Sequence, residues 1–454
     1  MPNKVDINEN FPEIKNSEEI FQRSEGLIPA HTQTLAKGPT QWVKGVAPKY
    51  LIKGKGSHVW DVDGNEYIDY MMGIGPIVLG YCYKAIDDAI ISQLEDGITF
   101  SLMHPLEVEL AEIIRDTVPN TESVRYSKTG CDITSAAVRV ARAFTKREMI
   151  LCCGYHGWHD WYISVTDRNL GIPKAVQDLT YTFNYNDINS LIDSIDDDTA
   201  AVILEPFVFE EEKDDFLMKV REVCDKNGSL LIFDEMWTGF RIAPGGAQQF
   251  FNVRADLACF SKAIANGMPI GALTGRADIM KLFDKDVFFF TTFGGEALSL
   301  AASKATIEII KEKNVPDYLN KQGEKLKTGY NKIAENLGLD YTIAENLGLD
   351  YTKCSGYNCR TIITFDAKAG NPLELKSLVQ QEMIKRGILW GGFHNMSFSH
   401  SFEDIEYTLK VYKEVLQILK EAVDKNNVKG LLRGEPVEPV FRKTSNFNVK
   451  PKKL

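Results

Sequence analysis

Four strings in this chain bring together residue types that could do chemistry in combination. In Cys259-Phe260-Ser261-Lys262-Ala263-Ile264-Ala265-Asn266-Gly267-Met268-Pro269, a lysine sits between an apolar run and small residues. So placed, Lys262 can be desolvated, and its neutral amine could form a Schiff base with a carbonyl; taken alone, a lysine is more often a solvated surface residue. In Leu231-Ile232-Phe233-Asp234-Glu235-Met236-Trp237-Thr238-Gly239-Phe240-Arg241, an apolar run delivers Asp234 to its end. A carboxylate buried there needs a cationic partner, although a helix N-cap or a metal ligand is the plainer reading. Ser127-Lys128-Thr129-Gly130-Cys131-Asp132 supplies hydroxyls and a close-approach glycine at the start of a predicted helix. Those are the parts of an anion site, or of an ordinary strand–helix turn. Gly154-Tyr155-His156-Gly157-Trp158-His159-Asp160 frames aromatic residues with glycines, which could lie flat against a planar ring or pack as a turn. Cys152, Cys153, His156 and His159 raise a metal as well, but no second Cys/His pair at finger spacing accompanies them.

The elements that must position these strings alternate. Apolar runs of strand length fall at 123–127, 149–153, 200–204, 230–233 and 257–260, with helical patterns such as 135–145 and 213–227 between most of them. That alternation predicts a mostly parallel sheet with helices on both faces, and ligands of such sheets bind at the strands' carboxyl ends. All four strings begin there. Before this region, residues 51–70 alternate apolar and polar around Asp63-Gly64, the signature of a hairpin in a small antiparallel sheet; 84–118 reads as helical. After about 310 a long helix leads to a mixed segment with helices expected at 374–386 and 402–423. The organisation expected is therefore an N-terminal segment 1–75 contributing to a small α+β domain, a large domain 76–315, a C-terminal small domain 316–427 and a surface tail 428–454. Ile333–Thr342 and Ile343–Thr352 carry the same ten-residue string in tandem, too few copies for a solenoid.

Composition narrows the classes. The chain has 454 residues, 44% hydrophobic and 25% charged, with net charge −11. It is long enough for a sizeable core, and its acidity argues against a general nucleic-acid binder, which needs a basic face. Its start lacks the basic-then-apolar pattern of a signal peptide. The strongest apolar run, Val287-Phe288-Phe289-Phe290, is of strand length, not membrane length. Eight scattered cysteines read as reduced thiols, so a cytoplasmic location is expected.

The order of phosphate-type turn, aromatic turn, Asp234 and, 28 residues on, Lys262 resembles the class III aminotransferases. These are pyridoxal-phosphate enzymes of fold type I, the α/β aspartate-aminotransferase-like architecture. The resemblance runs from about Arg23 to Lys420. Gly75–Gly80, Tyr155-His156-Gly157 and Val138–Ala143 are similar to the glutamate-1-semialdehyde aminomutase subgroup. The resemblance implies pyridoxal 5'-phosphate as cofactor, held by Lys262 as an internal aldimine, with Lys262 then shuttling the substrate proton. It implies Asp234 against the pyridine nitrogen, Tyr155 stacked on the ring with His156 beside it, and Met236 on the other face. Thr129, Gly130 and Cys131 would take the phosphate, Cys131 departing from the family's Ser-Gly-Thr and so removing a hydroxyl. Glu205, in a Leu-Glu-Pro string, would order polar groups nearby. Thr292 would reach the phosphate of a neighbouring subunit, making a homodimer the minimum assembly.

On the substrate side the chain departs from the aminomutases. Their Glu-Ala-Gly-Phe string is replaced by Gly392-Phe393-His394-Asn395, so a substrate-binding carboxylate is missing, and His31-Thr32-Gln33-Thr34 stands where they have Asn-Ser-Pro. No arginine occurs in 390–400 to clamp an α-carboxylate, and Glu210, where a gating glutamate would lie, has no visible partner. His31, Gln33, Trp390, His394 and His400 are the candidate pocket residues, with satisfied polar residues at a domain junction as the alternative. The expected reaction moves an amino group from an amino acid donor to a small, sugar-like carbonyl acceptor; the alternative is intramolecular 2,1-amino transfer. The strings 292–302 and 435–443 resemble aminotransferases of surface-polysaccharide synthesis.

Overall fold

The computed structural model describes residues 10–207, 209–336, 351–439 and 448–450. The chain divides into two compact units, one built from 1–83 and 318–440, the other from 84–317 and 441–454.

In the second unit a seven-stranded sheet takes the order β4-β10-β9-β8-β7-β5-β6. Its strands are β4 (Ser123–Ser127), β5 (Met149–Cys153), β6 (Thr180–Thr182), β7 (Thr199–Leu204), β8 (Leu230–Asp234), β9 (Leu257–Phe260) and β10 (Gly271–Gly275). β5 through β9 pair in parallel, whereas β10 runs antiparallel to both β4 and β9, so six strands share one direction. β5, β7, β8 and β9 are buried at every position, as strands covered by helices on both faces must be. The fully apolar runs made these strands readable. β6 and β10 were not expected: one is three residues long, and the other, Gly-Ala-Leu-Thr-Gly, has glycine at both ends.

Helix α4 (Gly130–Thr145) buries Ile133, Ala136, Ala137, Val140 and Ala141 against this sheet. The helical stretch expected over 84–118 is two helices, Lys84–Asp96 and Pro105–Arg115, broken at Gly97 (φ +116°) and restarted at a proline, which suits the first turn because it lacks an N–H. Val287–Phe290 is a loop rather than a strand. Its carbonyls are held by Arg139 on Phe288 O at 2.8 Å and by Arg125 on Phe289 O.

In the first unit, β1 (Leu51–Lys55), β2 (His58–Asp61) and β3 (Glu66–Asp69) form the expected antiparallel meander, with the second turn at Asp63-Gly64. β13 (Ile388–Leu389) adds to β3 in parallel, so the sheet is mixed. A second sheet orders β11 (Thr352–Ser355), β12 (Arg360–Phe365) and β14 (Phe393–Asn395). Helices Val315–Asn336, Pro372–Lys385 and Phe402–Asp424 follow the predicted spans closely. The tandem repeat lies mostly outside the described residues. Among the described residues, no helix is long and apolar enough to cross a membrane.

Candidate active site

Because β4, β5, β7, β8 and β9 point the same way, the segments leaving them meet at one edge of the sheet. Thr129 is the N-cap of α4: its hydroxyl accepts the Asp132 N–H at 3.2 Å, while the Asp132 carboxylate accepts the Thr129 N–H at 2.9 Å and the Ser127 hydroxyl at 2.8 Å. This reciprocal cap fixes the first turn with its N–H groups directed outward, where an anion is favoured. A Cβ at Gly130 would come within 2.8 Å of Met236 Sδ, so the glycine lets that side chain lie close to the start of the helix. Cys131 packs against the aromatic turn after β5. A Cβ on Gly157 (φ +108°) would lie 2.5 Å from Cys131 Sγ, and the sulfur accepts the Trp158 N–H. Burial pushes the Cys131 thiol above its ordinary value, so it is protonated at neutral pH.

The aromatic turn is tied to β8 by one hydrogen bond. His156, fully buried, sets Nδ1 2.8 Å from Asp234 Oδ2, and the other carboxylate oxygen accepts the Met236 N–H at 3.1 Å. An acceptor carboxylate calls for a proton on Nδ1, and Nε2 is buried with no hydrogen-bond partner among the described residues. Thr134 holds the His156 carbonyl at 2.8 Å, linking α4 to the same turn. Asp234 thus has the His156 imidazole as a side-chain partner. Glu235 turns the other way: it is fully buried and accepts from Ala247 N, Gln248 N and the Thr238 hydroxyl, and burial raises its pKa to about 7. Glu205, at the end of β7, accepts the Tyr155 N–H at 2.8 Å; Tyr155 itself is half-buried.

Lys262 opens the turn after β9 with φ +48°, and its Nζ lies 3.5 Å from the centroid of the Trp237 ring. Trp237 belongs to the strings read from the sequence but was given no role there. Nor was Lys128, whose amine bonds Glu296 at 2.6 Å, Pro269 O at 3.1 Å and Ser299 at 3.2 Å, tying the Thr129 turn to the segment after Lys262. An aromatic next to a strand-end carboxylate, and a lysine next to a candidate anion turn, were the available signals.

Thr292 lies on the exposed run 291–293 and, among the described residues, makes no hydrogen bond. Glu210 is exposed.

The candidate substrate residues all lie in the first unit and do not share one environment. Gln33 is exposed, and His31 is half-buried with Nδ1 2.7 Å from Ser24 Oγ and its ring stacked on Phe21. His394 and His400 fit the alternative reading, that of satisfied polar residues. His394 is fully buried, with Nδ1 2.8 Å from Thr361 Oγ1 and Nε2 2.7 Å from the Tyr412 hydroxyl. His400 is also fully buried; it accepts the Ser397 N–H at 3.0 Å, lies 3.2 Å from Asp69 O and stacks on Tyr70. Both rings have spent their nitrogens on the interior, and burial lowers their pKa values to about 3 and about 4. Trp390 is buried as well, its indole N–H without a partner among the described residues. Among the described residues no group of three His, Cys, Asp or Glu side chains is arranged to hold a metal; His156 is bound to Asp234, and His159 lies 2.7 Å from Ser135.

Comparison with known proteins places these features in context. The family model described as aminotransferase class-III matches residues 43–340. The chain is 34% identical to a 3-aminobutyryl-CoA aminotransferase of Cloacimonas acidaminovorans, over 90% of this chain and 98% of the relative. It is 31% identical to a glutamate-1-semialdehyde 2,1-aminomutase of Thermodesulfovibrio yellowstonii, over 89% and 99%. The structure of the PLP internal aldimine form of FumI from Sphingopyxis sp. MTA144 superposes with a TM-score of 0.82 at 28% identity, covering 93% of this chain and 99% of that one.

Proposed function

The chain belongs to the class III aminotransferase family, and from that premise we propose that it moves an amino group from an amino acid donor to a small carbonyl acceptor at the sheet edge holding Lys262. The family's cofactor is pyridoxal phosphate, and the residues present suit it. The first turn of α4 starts beside the aromatic turn and brings backbone N–H groups to that edge, and Asp234 is buried with acceptor capacity beyond its bond to His156. The observation carrying the reading is this convergence of a lysine, a histidine-braced carboxylate and an anion-binding helix start on one edge.

When bound, pyridoxal phosphate supplies an electron sink for charge developing on the substrate carbon. Lys262 would hold it covalently and, once displaced, take up and return the substrate proton at Nζ. Asp234 would keep the ring nitrogen protonated, and His156 would hold Asp234 in register from behind. Tyr155 and Met236 would pack on the two ring faces, with Glu205 fixing the backbone of Tyr155. Thr129, Gly130 and Cys131 would take the phosphate. Thr292, exposed together with Phe288, Phe290 and Phe293, supports a homodimer in which it reaches the partner's phosphate.

For the acceptor, the absence of an arginine from 390–400 and the sequence likeness of 292–302 and 435–443 favour a hydroxylated, sugar-like carbonyl compound over a keto acid. Eight free thiols favour a reducing compartment, the cytoplasm. A second reading, intramolecular transfer on glutamate 1-semialdehyde, is favoured by similarity to aminomutases. Titrating the cofactor-loaded enzyme with L-glutamate, L-glutamine, L-alanine and glutamate 1-semialdehyde separates them. Conversion to the pyridoxamine spectrum with stoichiometric keto acid supports the aminotransferase, whereas isomerisation of the semialdehyde without a donor overturns it in favour of the mutase.

A further inference from the structure

We propose that the Trp237 indole is a rest for the Lys262 ammonium: a positioning residue that holds the amine, protonated, whenever it is not bonded to cofactor. The inference rests on Lys262 being the covalent attachment point. Its geometric basis is the 3.5 Å separation of Nζ from the ring centroid, with Trp237 itself 7% exposed. An aromatic face attracts a cation through its quadrupole and has no comparable attraction for a neutral amine. The left-handed backbone at Lys262 and the short turn Lys262–Ala265 fix where the side chain starts.

The titratable groups on the strings that build the site have contacts of their own. Asp234 is bonded to His156, Glu235 to Thr238 and two backbone N–H groups, and Glu296 to Lys128. Burial raises the Cys131 and Cys259 thiols, keeping them protonated. Tyr155, on the aromatic turn, and Glu205, which accepts the Tyr155 N–H, are also titratable.

Loading requires Lys262 to give its extra proton to solvent. The neutral amine then adds to the cofactor's aldehyde carbon, the carbon–nitrogen bond forms, and the carbonyl oxygen leaves as water. A ring that favours the ammonium therefore slows loading at a given pH and sharpens its dependence on deprotonation. The test follows the visible band as cofactor-free protein takes up pyridoxal phosphate from pH 6 to 10. With Trp237→Leu, loading below the midpoint should be about five-fold faster, corresponding to about 1 kcal/mol, and the midpoint should fall. Trp237→Phe, which keeps a ring and serves if the leucine variant fails to fold, should shift it by less. In addition, Lys262→Met should alter indole emission in the parent chain but not in the Trp237→Phe background. A midpoint unchanged in both Trp237 variants overturns the proposal and leaves the aminotransferase reading intact. Equal loading by Lys262→Ala overturns the attachment point itself.

Discussion

Replacing Cys131 by serine should tighten cofactor binding. The sulfur sits at the second residue of α4, partly exposed, wedged against Gly157 and accepting the Trp158 N–H. As a protonated thiol it is a weak donor, so the start of the helix offers an anion backbone N–H groups and the Thr129 hydroxyl, but little from position 131. A serine oxygen has a shorter reach than the sulfur, so it fits the space beside Gly157. It can still accept from Trp158 while donating its own hydrogen. A net hydrogen bond to a charged group contributes about 1.5–3 kcal/mol. At a partly exposed position the lower figure applies, so the dissociation constant should fall about ten-fold. The assay is titration of cofactor-free Cys131→Ser and parent protein with pyridoxal phosphate, followed by the visible band, with phosphate-free pyridoxal as control. The gain should appear with pyridoxal phosphate and be absent with pyridoxal. No gain, or the same gain with both, would refute the assignment of Cys131 to the phosphate.

Other consequences can be checked alongside. His156→Phe keeps the shape of the buried ring but removes the donor to Asp234, leaving that carboxylate with the Met236 N–H; cofactor-free protein should lose about 2 kcal/mol in urea unfolding, and a loss below about 0.5 kcal/mol would contradict the bracing role. In the first unit, His58 lies 2.8 Å from Glu66 and 3.1 Å from Asp404. Burial opposes its charge, but these two carboxylates outweigh burial and raise its pKa above the ordinary 6.5. A raised histidine contributes stability that is fully present below the unfolded value and lost as pH rises through the folded one. The urea midpoint of the parent should therefore exceed that of His58→Asn most at about pH 6, below the unfolded value, with the gap closing as pH rises through the raised one; a gap constant with pH would rule out the ion pairs as its cause.

Much of the architecture can be read from the chain because the four buried strands β5, β7, β8 and β9 are nearly unbroken apolar runs ending where the polar strings begin. What the sequence hid has physical causes. β10 is a glycine-bounded strand whose antiparallel pairing depends on its neighbours, and the pause at 97–104 interrupts a helical pattern that the apolar spacing carries through. The bond between His156 and Asp234 spans 78 positions, and no local periodicity announces it. His394 and His400 show the converse problem. A histidine whose nitrogens are both engaged by Thr361 and Tyr412, or by Ser397 and Asp69, has the same letter as one that meets a ligand. Only the fold distinguishes them.

The central claim is that Lys262 is the residue bonded to the cofactor. Borohydride reduction of the cofactor-loaded protein fixes that bond, and peptide mapping then identifies its lysine. The account predicts the label on Lys262, and its loss, together with the visible band, in Lys262→Ala. Label on another amine, such as Lys376, whose pKa burial lowers to about 8, would contradict it.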